Sequence, residues 1–201
     1  MKKSVKWMLS LAAVLILAGL WTWRFIEVNR FYYELDANDG CDEEYYEIGE
    51  NVVFGDNMIA GVSADGYAIR VNSVDYTDFA PYTNEDNDQL FKDDKMVLVH
   101  ATVSHVAKGK SEKGVNISDM DLDGIDCHFY QYYHGLGLFN PELDSETTGI
   151  RLPVGASYDV VIPFHALKRD FSRRSWEHLD EQELYLTITG YFPTCKIIKV
   201  Q

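Results

Sequence analysis

The fold turns on Met96–Val106, MVLVHATVSHV, because its apolar residues recur at every second position. Val97, Val99, Ala101 and Val103 fall on one face, with His100, Thr102 and Ser104 on the other. That is the period of a strand with one side buried. Tyr67–Val74 repeats the pattern upstream, setting Tyr67, Ile69 and Val71 against Arg70 and Asn72. Downstream, Tyr158–Phe164 puts Tyr158, Val160, Ile162 and Phe164 on one face and predicts a strand central to the core. Leu184–Phe192 alternates as well, and beyond Pro193 a last strand is expected over Lys196–Val200.

Shorter signals fill the gaps. Val52 and Val53 lie between Gly49 and Gly55 and read as a short strand, so the domain is expected to begin near Ile48. Val115–Asp121 and Gly124–Tyr133 read as a hairpin about Asp123-Gly124. Asp75–Asp94 is a polar loop, and Gly149–Pro153 leads to a turn at Val154-Gly155. Between Phe164 and Leu184 the alternation stops. Phe164, Leu167 and Phe171, then Trp176 and Leu179, are spaced for one short connecting helix over His165–Asp180. Roughly seven or eight strands with a single inserted helix predict a mainly β fold, an antiparallel immunoglobulin-like Greek-key sandwich.

Before this domain runs Trp7–Trp23, WMLSLAAVLILAGLWTW, uncharged and preceded by Lys2, Lys3 and Lys6. As a helix it spans about 26 Å, and Phe25 and Ile26 bring it close to a bilayer core of roughly 30 Å. No small-residue cleavage site follows it, and Leu20 stands where a lipoprotein box needs cysteine. The expectation is residues 1–27 as a basic start and a single-pass signal anchor. The lysines predict the N-terminus inside and the C-terminal domain outside the cytoplasm. Residues 28–47 are expected as a juxtamembrane stalk and acidic linker with Asp42, Glu43 and Glu44 solvated, and 48–201 as the sandwich.

The chain has 32 acidic and 18 basic residues. Setting aside Lys2, Lys3, Lys6 and Arg24 leaves a balance of −18 outside the membrane. Such a charge argues against a nucleic acid partner. Three cysteines, Cys41, Cys127 and Cys195, form no metal-binding spacing. In an oxidising compartment one bridge can form, with Cys127 and Cys195, both in strand-like segments, as the favoured pair, and Cys41 would then be unpaired.

The chemistry-bearing motifs are few. Asp119, Asp121 and Asp123 followed by Gly124 match the first half of a calcium loop, with Asp126 a possible fourth ligand. The second half fails, since Cys127 and Tyr130 occupy its ninth and twelfth positions, and a plain acidic turn explains the same residues. His100 and His105 fall on opposite faces of one strand, so the histidines read as scattered. No G-x-S-x-G, H-E-x-x-H or G-x-x-x-x-G-K is present, and His134-Gly135-Leu136-Gly137 reads as a flexible turn. Lys168, Arg169, Arg173 and Arg174, with Trp176 among them, form the basic cluster of the domain and a candidate interaction surface. Asp170, Glu177, Asp180 and Glu181 are spaced to neutralise it. Tyr130, Tyr132 and Tyr133 beside Phe129 are candidates for a ligand floor or for sheet packing.

Trp23–Asn29 after the apolar run, the strands Tyr67–Val74 and Met96–Val106, the turn Asp121–Gly124, Leu152-Pro153-Val154-Gly155 leading into Tyr158–Phe164, and the closing Leu184–Val200 together carry a resemblance. The chain resembles an uncharacterised family of Gram-positive bacterial single-anchor proteins with an immunoglobulin-like extracytoplasmic domain of unknown function. The resemblance implies a fold and a location and supplies no site residues. The expected role is a non-catalytic binding or assembly module without cofactor. Its partners are the membrane, through the N-terminal helix, and another membrane or cell-surface protein; no small-molecule substrate is identified. The alternatives are a wall-associated enzyme with a dispersed site and a calcium-stabilised adhesive domain.

Overall fold

The alternating segments pair into one continuous ladder. The computed structural model describes residues 16, 18–25, 42–55, 64–79, 91–109, 114–124, 127–143, 149–189 and 194–201. The chain divides into two units, Met1–Gly40 and Cys41–Gln201. In the first, residues 16 and 18–25 are helical, with Leu20, Trp21 and Trp23 exposed and Trp21 stacked on Phe25 at 5.5 Å. Among the described residues no helix is long and apolar enough to cross a membrane. Most of the expected anchor and the stalk after it lie outside the described residues.

The second unit contains β1 (Asp42–Glu47), β2 (Val52–Val53), β3 (Tyr67–Asp78), β4 (Lys95–His105), β5 (Val115–Asn116), β6 (Asp121–Gly124), β7 (Cys127–Gln131), α1 (Tyr133–Phe139), β8 (Gly149–Ile150), β9 (Ser157–Ala166), α2 (Arg173–Glu177), β10 (Leu184–Thr189) and β11 (Thr194–Lys199). The ladder order is β1-β11-β10-β6-β7-β9-β4-β3-β2, while β5 and β8 pair separately. Neighbours are antiparallel except β1, which runs parallel to β11.

Strand β7 changes layers along its length. Cys127 to Phe129 pair with β6, whereas Tyr130 and Gln131 pair with His165 and Phe164 of β9. The ladder therefore folds into two layers that share one apolar core. Val71, Val99, Ile162 and Phe164 come from one side and Leu122, Leu186, Ile188 and Ile198 from the other, all essentially inaccessible to solvent. The Lys196 ammonium of β11 donates to the Val53 carbonyl of β2, linking the layers at a second place.

Once β7 turns away, the edge of β9 would leave the Val161 N–H and C=O without partners. Buried Asn140 supplies both: Val161 N donates to Asn140 Oδ1 at 2.8 Å, and Asn140 Nδ2 donates to Val161 O at 2.7 Å and to Leu136 O at 2.8 Å. A single carboxamide thus continues the ladder and ties α1 to β9. At the other end of β9, the Tyr67 hydroxyl donates to Leu152 O and accepts from Leu152 N, and the Tyr67 ring stacks on His105 at 4.2 Å. His105 Nδ1 also lies 2.6 Å from Leu152 O.

Five expectations are corrected. Asp42, Glu43 and Glu44 belong to β1 rather than to a solvated linker, because β11 offers backbone partners while their side chains remain in water. The first arm of the expected hairpin is interrupted at Ile117–Asp119 by a 3-10 turn, since the Asn116 side chain accepts from Ser118 N. His134–Gly137 lies within α1 instead of a flexible turn. Gly135 is required there, since a Cβ would sit 2.3 Å from the Tyr132 ring. The single helix expected over His165–Asp180 is replaced by the end of β9, the 3-10 turn Lys168–Asp170, α2, and the start of a second 3-10 turn, Leu179–Glu181. Cys127 keeps its thiol, which donates to Gln182 Oε1 at 3.3 Å, so it does not bridge Cys195, although Cys195 is disulfide-bonded. The expectation that Cys41 stays unpaired lies outside the described residues.

Candidate functional site

The candidate site is the surface around α2. Ser172 caps this helix by accepting from Ser175 N at 3.1 Å, as its side chain and position before a helical turn dictate. The turn is seated by aromatic packing: Phe129 meets Phe171 edge-on at 5.5 Å, and Phe171 meets Trp176 at 5.4 Å. Leu179 is buried beneath it. Gln182 fixes the return of the chain, donating to Ser175 O at 2.6 Å while accepting from the Cys127 thiol.

The basic cluster resolves into paired and unpaired members. Lys168 meets Asp93 at 2.8 Å, Arg169 approaches Asp170 at 3.8 Å, and Arg173 meets Glu177 at 2.8 Å. The Lys168 ammonium holds the exposed Asp93 carboxyl below the usual carboxylate range, by hydrogen bond and by charge. Of the expected neutralising residues, Asp170 and Glu177 serve, whereas Glu181 pairs with His178 at 3.2 Å. Trp176 is half-buried, with the Lys95 ammonium 5.5 Å from its ring centre. Arg174 has no carboxylate partner among the described residues. It lines a cavity of about 640 Å³ together with Ser172, Ser175 and His178, and with Glu181, Gln182 and Glu183 on the return.

The three aspartates of the acidic turn are spread over two elements. Asp119 ends the 3-10 turn, Asp121 and Asp123 follow on β6, and Asp123 Oδ1 is taken by His128 Nδ1 at 2.6 Å. Lost hydration and the neighbouring Asp123 and Asp119 carboxylates raise the Asp121 pKa, with His128 opposing. Among the described residues no group of three or more His, Cys, Asp or Glu is placed to hold a metal. Asp126 lies outside the described residues.

The histidines sit apart from one another, each beside its own neighbours. His100 Nε2 lies 2.9 Å from Asp75 Oδ2, without the geometry of a hydrogen bond. His165, mostly buried, lies 3.0 Å from Asp94 Oδ2, whose other oxygen accepts from Lys168 N. Its ring stacks on Phe79 at 3.8 Å. Burial lowers the His165 pKa, with Asp94 opposing. This pair does not line the cavity and reads as a brace. Of the tyrosine run, Tyr132 packs on Phe79, while Tyr130 and Tyr133 are exposed and Phe129 is core.

Sequence reasoning singled out Arg174 but missed Ser172, Ser175, His178 and Gln182 beside it. The capping serine at Ser172 was the signal that could have located the turn.

Among curated proteins none matches the chain. Similar solved structures include the YjhA protein of Bacillus subtilis, 13% identical, covering 78% of this chain and 99% of that one with a TM-score of 0.42. A Staphylococcus aureus protein provisionally described as a lipoprotein is 11% identical, covering 75% of this chain and 92% of that one at 0.38. An uncharacterized β-sandwich protein of Clostridium difficile 630 is 11% identical, covering 80% and 97% at 0.38. Residues 43–196, from the second residue of β1 into β11, match the family described as "Domain of unknown function (DUF5028)", and the chain belongs to that family.

Proposed function

We propose that the chain is a membrane-tethered, extracytoplasmic β-sandwich that acts as a non-catalytic binding or assembly module at a bacterial surface. The observation that carries the location is the disulfide at Cys195. Such bonds form and persist in oxidising compartments and are rare in the cytosol. The lysine-flanked apolar run Trp7–Trp23 supports the same side of the membrane.

An immunoglobulin-like arrangement is supported by the strand order. β3, β4, β9 and the end of β7 make one antiparallel layer, and β6, β10 and β11 the other. This is the order of the seven-stranded constant-type domain, with β7 crossing between the layers. A binding role is supported by the cavity beside α2. Its hydroxyls bond each other, Ser172 to Ser175 at 2.8 Å, and its histidine meets Glu181 through Nδ1.

The test is fractionation of cells that make the full chain, followed by protease added outside intact cells. The domain is expected in the membrane fraction and to be digested. Recovery in the soluble cytoplasm, or full protection with the cells intact, contradicts the reading.

A further inference from the structure

Resting on the reading of this domain as a binding module, we propose that the cavity beside α2 receives a single carboxylate group of a small ligand such as a short peptide, with Arg174 as the recognising residue. The argument is one of charges left over. Lys168, Arg169 and Arg173 each pair with a carboxylate of their own chain. The cavity's carboxylates are likewise engaged. Glu183 accepts from Lys199 at 2.7 Å and from Tyr185 at 2.9 Å, and Glu181 lies 3.2 Å from His178, which offsets its charge only when that ring is protonated. The guanidinium of Arg174 is the lining cation without a carboxylate partner among the described residues.

Its planar fork matches a carboxylate in two parallel hydrogen bonds. The Ser172 and Ser175 hydroxyls beside it bond each other at 2.8 Å, which leaves one hydroxyl hydrogen of the pair to donate. A single guanidinium balances a single negative charge. In a domain whose charge is strongly negative, a phosphate dianion is repelled more than a carboxylate. The cavity, about 640 Å³, has the size of a small-molecule site.

The site also holds its shape. Gln182 ties α2 to β7, and the Ser172 cap fixes the first turn, so the cavity wall does not depend on a ligand for order.

The experiment uses the full chain in detergent micelles. N-acetylglycylglycine, its C-terminal amide and inorganic phosphate are titrated while the Arg174 side-chain resonance and tryptophan fluorescence are followed. The free acid is expected to shift both signals saturably. Arg174→Ala should weaken it by about tenfold or more, the scale of a lost charge-assisted bond. Arg174→Lys should recover only part, and Arg173→Ala should leave binding unchanged. The inference is overturned if the free acid fails to saturate, if the amide binds as well as the acid, if phosphate binds more tightly, or if Arg174→Ala stays within about twofold. Failure here with the domain outside the membrane removes only the ligand assignment. Binding by a cytoplasmic domain removes only the location.

Discussion

The layer built from β3, β4 and β9 and the segment from Lys168 to Gln182 solve different problems with the same chain. In the first, β4 is paired along nearly its whole length on both edges, and its Val97, Val99, Ala101 and Val103 are inaccessible. In the second, short turns hold a mostly exposed polar surface in place through Leu179, Trp176 and Gln182. The contrast teaches that the stability of the domain and its candidate recognition surface rest on separate residues. A ligand-facing change at Arg174 is therefore expected to leave folding intact.

The comparison breaks most visibly in the core. Phe164→Ala removes a fully buried ring from β9 and should lower unfolding stability by about 3–5 kcal/mol, read by denaturant titration. A loss no larger than that of a surface substitution would put β9 outside the core.

Asn140→Leu tests whether one carboxamide completes the β9 edge. It keeps the volume but leaves the Val161 N–H and C=O without partners, and it should cost about 3 kcal/mol. Hydrogen exchange at the Val161 amide should accelerate in the same variant.

Tyr67→Phe removes only the hydroxyl shared with Leu152 and should cost about 1–2 kcal/mol. The His105 stack remains available to hold the ring in place.

His165 gives the comparison a pH axis. Burial sets its folded pKa below its ordinary 6.5. As pH falls below that value, the unfolded chain takes up a proton that the native state resists, so stability is full above it and declines on acidification. The groups that act on it are Asp94, Arg169 and Asp170. The midpoint of thermal unfolding should fall on going below pH 6.5, and His165→Gln should flatten that fall. An unchanged slope in the variant would assign the acid sensitivity elsewhere.

On the α2 side, Arg173→Ala removes an exposed i,i+4 pair and should change stability by no more than about 0.5 kcal/mol.

What the sequence made legible follows the same division. Alternation located β3 as far as Val74, β4, β9 and β10 because one face of each is buried, while the continuation of β3 to Asp78 reads as loop because Asp75–Asp78 is polar. It missed β1, whose DEEYYE pattern shows no alternation, with Tyr46 alone packed against the core, and whose backbone partners are offered by β11. It also missed the 3-10 turn at Ile117, where the Asn116 side chain competes with the strand ladder. At the candidate site the basic cluster was visible, but not which member lacks a carboxylate partner among the described residues. Asp93, which takes Lys168, is distant in sequence, and only the docking of β4 beside β9 brings the two together. The Asp94–His165 brace was hidden for the same reason.

The central claim, that this domain works outside the cytoplasm, is tested most directly by differential alkylation. Thiols are trapped in intact cells by acid quenching and alkylation, the protein is then reduced and labelled with a second reagent, and the cysteine peptides are read by mass spectrometry. The account predicts that Cys127 takes the first label and Cys195 the second, as a thiol and a disulfide cysteine should. First-label alkylation of Cys195 in growing cells would contradict it, placing the domain in a reducing compartment.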